Sequence, residues 1–132
     1  MTTSSAVTGV PRLLLRWEGG ALLIVAAALY WKVGASWWLF AVLFLAPDVS
    51  FLGYLGGLRI GAIAYNTAHT TIGPMALGIA GLLWPGFDLI ALALIWTAHI
   101  GFDRMLGYGL KYAAGFGFTH LGRIGRDPAD EA

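Results

Sequence analysis

The sequence predicts an all-α, polytopic membrane protein folded as a compact four-helix transmembrane bundle with short loops. Three observations carry that expectation. Hydrophobic residues make up 58% of the chain and charged residues 11%, with a mean hydropathy of +0.74, which is more apolar than a soluble globular domain. The apolar residues gather into stretches near the roughly 20 residues that a membrane helix needs. Tight breaks separate them at Gly34-Ala35-Ser36, Gly56-Gly57-Leu58-Arg59 and Pro85-Gly86, each suited to an antiparallel hairpin.

Taken in order, residues 1–12 form a short arm and residues 13–108 the membrane domain. The first span runs from Leu13 to Trp31. It could pass for a secretory signal, but it ends in Leu29-Tyr30-Trp31-Lys32 rather than a small-residue cleavage site, which marks a retained span. The second runs from Trp37 to Leu55 and contains Pro47; the third runs from Ile60 to Trp84 and contains Pro74. Each proline removes a backbone donor and predicts a kink. A five-segment alternative splits the third span at Gly73-Pro74. The fourth runs from Phe87 to Tyr108. Residues 109–132 then form a tail whose mixture of Tyr, Phe, Lys and Gly suits the membrane interface.

Basic residues fix the expected orientation. Arg12, Arg16, Arg59, Arg104, Lys111, Arg123 and Arg126 fall at one end of the bundle and Lys32 alone at the other, so the positive-inside rule puts both termini in the cytoplasm. Aromatic residues give the same frame, with Tyr30, Trp31, Trp37, Trp38 and Trp84 at the outer interface and Trp17, Tyr54, Tyr108 and Tyr112 at the inner one. The 19 glycines suit close helix packing in lipid, and Gly53, Gly57 and Gly61 have small-xxx-small spacing. A net charge of +1 gives no basis for nucleic-acid binding. With no cysteine, disulfides, thiolate metal sites, iron-sulfur clusters and cysteine catalysis are excluded.

Ionisable groups inside such stretches are costly, so each needs a partner or a role. At 1.5 Å of rise per residue from the inner end of each span, Glu18 lies roughly 7 Å in, Asp48 roughly 10 Å, Asn66 roughly 9 Å, His69 and His99 roughly 14 Å and Asp103 roughly 8 Å. All share the cytoplasmic half, which predicts one polar chamber. His99 and Asp103 are spaced i, i+4, so one helix face offers two ligands to a metal. Tyr65 and Asn66 precede His69 by four and three residues on a face that adds a possible ligand and hydrogen-bonding neighbours.

Two imidazoles and two carboxylates, from His69, His99, Asp48 and Asp103, suit a divalent transition metal such as Zn, Mn or Fe. With an open coordination position such a site activates water for hydrolysis, and Glu18, Lys111 and His120 are the expected acid, base or phosphate clamp. The competing structural reading pairs Asp48 with Arg59 or Arg16 and Asp103 with Lys111, and lets the histidines bond neighbouring carbonyls. Two further alternatives are a haem or pigment held axially by His69 and His99, and a non-catalytic accessory subunit of a membrane complex or homo-oligomer.

The stretches Arg16-Trp17-Glu18-Gly19, Phe44-Leu45-Ala46-Pro47-Asp48, Tyr65-Asn66-Thr67-Ala68-His69, Ala98-His99-Ile100-Gly101-Phe102-Asp103-Arg104, Leu106-Gly107-Tyr108-Gly109-Leu110-Lys111-Tyr112 and Thr119-His120-Leu121-Gly122 resemble the bacterial membrane family called domain of unknown function 4260. The resemblance implies a small four-helix protein of the bacterial inner membrane and no particular activity. Pro47-Asp48 with His69 is also similar to membrane-bound metal-dependent hydrolases, although Val49-Ser50 stands where those enzymes carry a second Asp. That similarity implies hydrolysis of a lipid-like or amphipathic substrate.

Overall fold

The computed structural model describes residues 6–85 and 88–124. The tip of the N-terminal arm, the Gly86-Phe87 end of the last expected turn, and Arg126 with the rest of the C-terminal tail lie outside the described residues. Among the described residues there are five α-helices: α1 (Gly9–Val33), α2 (Trp37–Leu43), α3 (Leu58–His69), α4 (Ile72–Leu83) and α5 (Leu89–Leu106). A 3-10 helix, Ala46–Gly56, joins α2 to α3, and a two-stranded antiparallel hairpin, β1 (Phe118–Thr119) with β2 (Gly122–Arg123), follows α5.

Local chemistry explains the boundaries. Gly34 closes α1 in the left-handed region, with its N–H bonded to the carbonyls of Tyr30 and Trp31. The Ser36 hydroxyl caps α2 by accepting from Trp38 N at 3.2 Å. Gly107 ends α5 in the same left-handed way, and Tyr108 N reaches back to the Asp103 carbonyl at 2.8 Å.

Three helices are long and apolar enough to cross a membrane: α1, the continuous run Trp37–Gly56, and α5. The third expected span is broken. It divides into α3 and α4, as the five-segment alternative has it, but at Thr70-Thr71 rather than at Gly73-Pro74. Pro74 instead lies in the first turn of α4, where its missing N–H would have had no helical partner anyway, so it costs nothing there and kinks nothing.

The surface is apolar. Leu55 is 88% exposed and Trp38 82%, while buried positions include His69, His99 and Lys111. Such an inside-out distribution is consistent with a membrane protein. Tyr30 departs from the expected interface belt: it is fully buried, donates to the Ser36 carbonyl at 2.5 Å, and packs against Trp37 and Phe40.

α5 is the centre of the assembly, packed against α1 on one side and α4 on another, while α3 lies along the 3-10 segment. Backbones meet where side chains vanish. A Cβ on Gly101 would stand 2.6 Å from the Gly19 carbonyl oxygen and 2.7 Å from Leu23 N, so α1 and α5 touch at these two glycines. Of the glycines spaced as a small-xxx-small run, Gly53 packs on Ala64, Gly61 receives the Tyr54 ring, and Gly57 makes the turn at φ 112°.

The 3-10 winding decides which residues face inward. Pro47 cannot donate an i→i−4 bond, and Asp48 N bonds Leu45 O at 3.0 Å in the tighter register. Three residues per turn then stack into columns. Ala46, Val49, Leu52 and Leu55 make the exposed column, Gly53 lies against α3, and Asp48, Phe51 and Tyr54 form the third column. Phe51 contacts Tyr65 and Phe116, and Tyr54 meets Phe116 edge-on.

Residues 107–124 fold back as a cap over one end of the bundle, beside the start of α1. Val7 N donates to the His120 carbonyl at 2.8 Å, and Arg12 Nε donates to the Leu121 carbonyl. Asn66 clamps the cap from within, with Nδ2 bonded to Lys111 O at 2.8 Å and Oδ1 accepting from Lys111 N at 2.6 Å. Both bonds are largely shielded, so Asn66→Ala is expected to cost about 1–3 kcal/mol through the backbone groups it orphans. Faster proteolysis within residues 107–124, with unchanged helix content, is the readout.

Candidate metal centre

Four side chains from three elements converge on one point. His99 and Asp103 come from successive turns of α5, His69 is the last residue of α3, and Asp48 stands on the inward column of the 3-10 segment. The tight winding sets the heights. Asp48 lies nine residues before Gly57 and His69 twelve after it; at about 2.0 Å per 3-10 residue and 1.5 Å per α residue, both stand about 18 Å from the turn. An α-helical second span would have left Asp48 several ångströms short.

The Nε2 atoms of His69 and His99 are 3.1 Å apart. Asp48 Oδ1 lies 3.2 Å from each, and Asp103 Oδ2 lies 3.3 Å from each. All four ligand atoms fall within 4.8 Å of one another. Bonds of about 2.0–2.2 Å from a tetrahedral zinc would space its ligands about 3.3–3.6 Å apart. Five of the six separations match that spacing within a few tenths of an ångström, so Asp48, His69, His99 and Asp103 lie close enough to hold a metal ion.

Proton counting is compatible with a cation at this point. His69 Nδ1 donates to the Tyr65 carbonyl at 2.8 Å, which in a neutral imidazole leaves Nε2 as a lone pair facing two carboxylate oxygens. Acceptors converging in this way call for an added positive charge, which a proton on the histidine pair or a bound cation would bring, and the site is well shielded, with His99 1% exposed, His69 3%, Asp103 13% and Asp48 32%.

Surrounding groups fix the ligands. The Tyr65 ring stacks on His69 at 3.8 Å and its hydroxyl lies 3.5 Å from Asp103 Oδ2. Phe44 stands edge-on to His99 at 5.5 Å. The helix break beside His69 frees carbonyls, and α5 satisfies them: Trp96 Nε1 donates to Ala68 O at 2.6 Å and Arg104 Nη2 to His69 O at 3.3 Å. Arg104 and Trp96 thus hold the end of α3 where His69 must be, a role that only their proximity to the break discloses.

Of the other expected site residues, Lys111 reaches the neighbourhood. It lines a cavity of about 240 Å³ together with Asp48, Asp103, Tyr65 and Phe116. Its Nζ donates to Phe116 O at 2.7 Å and lies 3.6 Å from the Phe116 ring centre and 4.8 Å from that of Tyr65. Burial pushes its ammonium down to about 8, with Asp103 pulling the other way. Asn66 serves the cap rather than the metal set.

Glu18 and His120 stand elsewhere. Glu18 is exposed on α1, and the nearby Arg16 donates to Met105 O at 2.9 Å. His120 is bound into the cap, where Nδ1 accepts from Leu110 N at 2.8 Å. Burial, then the Arg104 guanidinium, holds its imidazole below the ordinary 6.5. The unfolded chain therefore binds this proton first as pH falls. The stability this group contributes is complete above 6.5 and lost on acidification through the lower folded value. Protonation also removes the acceptor for Leu110 N. Acid loosening of the cap below pH 6.5, absent in His120→Gln, is the expected result in a proteolysis profile against pH.

The haem alternative gains no support from the geometry. Axial imidazoles on opposite faces of a macrocycle hold their nitrogens about 4 Å apart, at about 2 Å per bond. Here the nitrogens are 3.1 Å apart and two carboxylates share the same point, which leaves no plane for a ring. Of the structural reading, the pairs of Asp48 with Arg59 or Arg16 and of Asp103 with Lys111 are not formed among the described residues, where both carboxylates meet histidines, while His69 does bond the neighbouring Tyr65 carbonyl.

The family model described as domain of unknown function (DUF4260) matches residues 12–124. The chain belongs to the DUF4260 family. That family description carries no activity, and its match spans all four ligands, both glycines of the α1–α5 contact and the cap. No curated protein and no solved structure matches the chain, and the similarity to membrane-bound metal-dependent hydrolases gains no support from any comparison.

Proposed function

We propose that this DUF4260 protein is a metal-dependent hydrolase of the bacterial inner membrane that acts on a lipid-like or amphipathic substrate. The observation that carries the reading is the convergence of two imidazole nitrogens and two carboxylate oxygens within 4.8 Å of one another, beside a cavity of about 240 Å³. Four protein ligands fill a tetrahedral set, so in this reading water or substrate enters from the cavity as a fifth ligand. A bound dication there supplies a Lewis acid and lowers the pKa of water. Lys111 and the Tyr65 hydroxyl are the side chains of this chain placed to meet charge that develops on the substrate.

In this reading α1, Trp37–Gly56 and α5 cross the bilayer, and α3 with α4 completes a fourth crossing from two half-helices of 12 residues each. The cap and the start of α1 share one end, and the positive-inside pattern assigns that end to the cytoplasm.

Elemental analysis and an optical spectrum of the detergent-purified protein test the centre: near one equivalent of a transition metal and no Soret band are expected. Release of p-nitrophenol from p-nitrophenyl phosphate or p-nitrophenyl decanoate in lipid nanodiscs, abolished by chelation and restored by metal, tests the chemistry. A stoichiometric metal without turnover of either ester would sink the hydrolase and leave the metal site standing.

A further inference from the structure

Two spaces of different character adjoin the four ligands. One is the cavity under the cap, where Asp48, Asp103, Tyr65 and Lys111 bring polar groups beside Phe51 and Phe116. The other is an apolar cleft of about 270 Å³ lined by Pro47, Ala68, Leu77, Leu92, Ile95 and Trp96, among others. Along each element that bears a ligand the cleft residue and the cavity residue stand at different depths: Ile95 and Asp103 on α5, Pro47 and Phe51 on the 3-10 segment, and Ala68 and Tyr65 on α3. Since α5 and the 3-10 segment run towards the capped end and α3 runs away from it, the cleft lies deeper in the bundle and the cavity nearer the cap.

The geometry points to a single-chain anionic amphiphile as the substrate class, its hydrocarbon tail in the cleft and its headgroup, a phosphate or similar oxyanion, in the cavity; this rests on the metal-site reading above. The depth order matches a lipid in the capped-side leaflet, whose head lies at the surface and whose chain runs towards the midplane. Charge selects the head. Two carboxylates and one ammonium repel an anion, but a bound dication reverses the sign of the cavity, and Lys111 then stands beside it as a second cation. The cleft offers the tail no hydrogen-bond partner except the Trp96 N–H, which is already given to Ala68 O. Headgroup recognition therefore depends on metal and tail recognition does not.

Cobalt-loaded protein in lipid nanodiscs, titrated with inorganic phosphate and with decyl phosphate while the visible spectrum is followed, tests the assignment. Leu77→Trp and, independently, Leu92→Trp fill the cleft from residues that do not adjoin a ligand. Each methylene placed in the cleft tightens binding about fourfold, so either variant is expected to lower the preference for decyl phosphate over phosphate at least about tenfold. Cobalt content and the phosphate response stay as they were, and metal-free protein responds to neither probe. An unchanged preference in both variants overturns the tail assignment. Cobalt binding with a spectrum that neither anion perturbs overturns the headgroup assignment. Failure of the wild-type protein to bind cobalt removes the metal reading itself, a separate result.

Discussion

Replacing His99 or Asp103 by Ala is expected to strip the bound metal from a protein that remains folded. Loss of a hydrogen-bonding partner behind a ligand typically lowers metal affinity 10–100-fold, so loss of a ligand itself should exceed about 100-fold. Folding survives for a local reason. α5 is held by Gly101 against α1 and by its apolar residues against α4, and neither contact uses the His99 or Asp103 side chain. Metal at about 1,000 times its Kd would add about 4 kcal/mol to the stability of the native state. Chelation should therefore lower the thermal midpoint of the wild-type protein and leave both variants unmoved, a difference that a packing role for the two residues does not produce. Elemental analysis beside circular dichroism checks the outcome; a full equivalent of metal in both variants would refute the site.

Gly101→Ala is expected to destabilise the bundle strongly for the addition of a single methyl group. The new Cβ would meet backbone atoms of α1, at 2.6 Å from Gly19 O and 2.7 Å from Leu23 N, and backbone cannot rotate aside as a flexible side chain can. Either α1 moves away or α5 twists. Overpacking of this kind costs about 1–3 kcal/mol and sometimes more, and a twist of α5 would also displace His99 and Asp103. Gly78→Ala is the matched control. Its Cβ would stand 3.8 Å from the Ala93 methyl, an ordinary contact, so the higher helix propensity of Ala should leave stability equal or raise it by up to about 1 kcal/mol. Thermal unfolding in one detergent reads both; a Gly101→Ala midpoint at or above that of Gly78→Ala would rule out the close α1–α5 approach.

By itself the sequence determined much of what depends on near neighbours. Composition and the lengths of apolar stretches marked a chain of helices fit for lipid, and a spacing of four placed His99 and Asp103 on one face of α5. Proline and charge patterns drew attention to Asp48 and His69 at a shared depth. The tertiary structure decided what depends on distances between elements. It put the break of the third expected span at Thr70-Thr71, beside a ligand, because Trp96 and Arg104 of α5 satisfy the carbonyls freed there. It placed His120 in the cap and Glu18 on the surface, away from the metal set beside which they were expected to serve as acid, base or phosphate clamp. It also wound Ala46–Gly56 as a 3-10 helix, a choice that local pattern does not reveal. The difference of about 0.5 Å per residue between the two helix types, accumulated over nine residues, brings Asp48 level with His69. Periodicity fixes which face a residue occupies; the pitch of each segment and the packing between segments fix whether two faces meet.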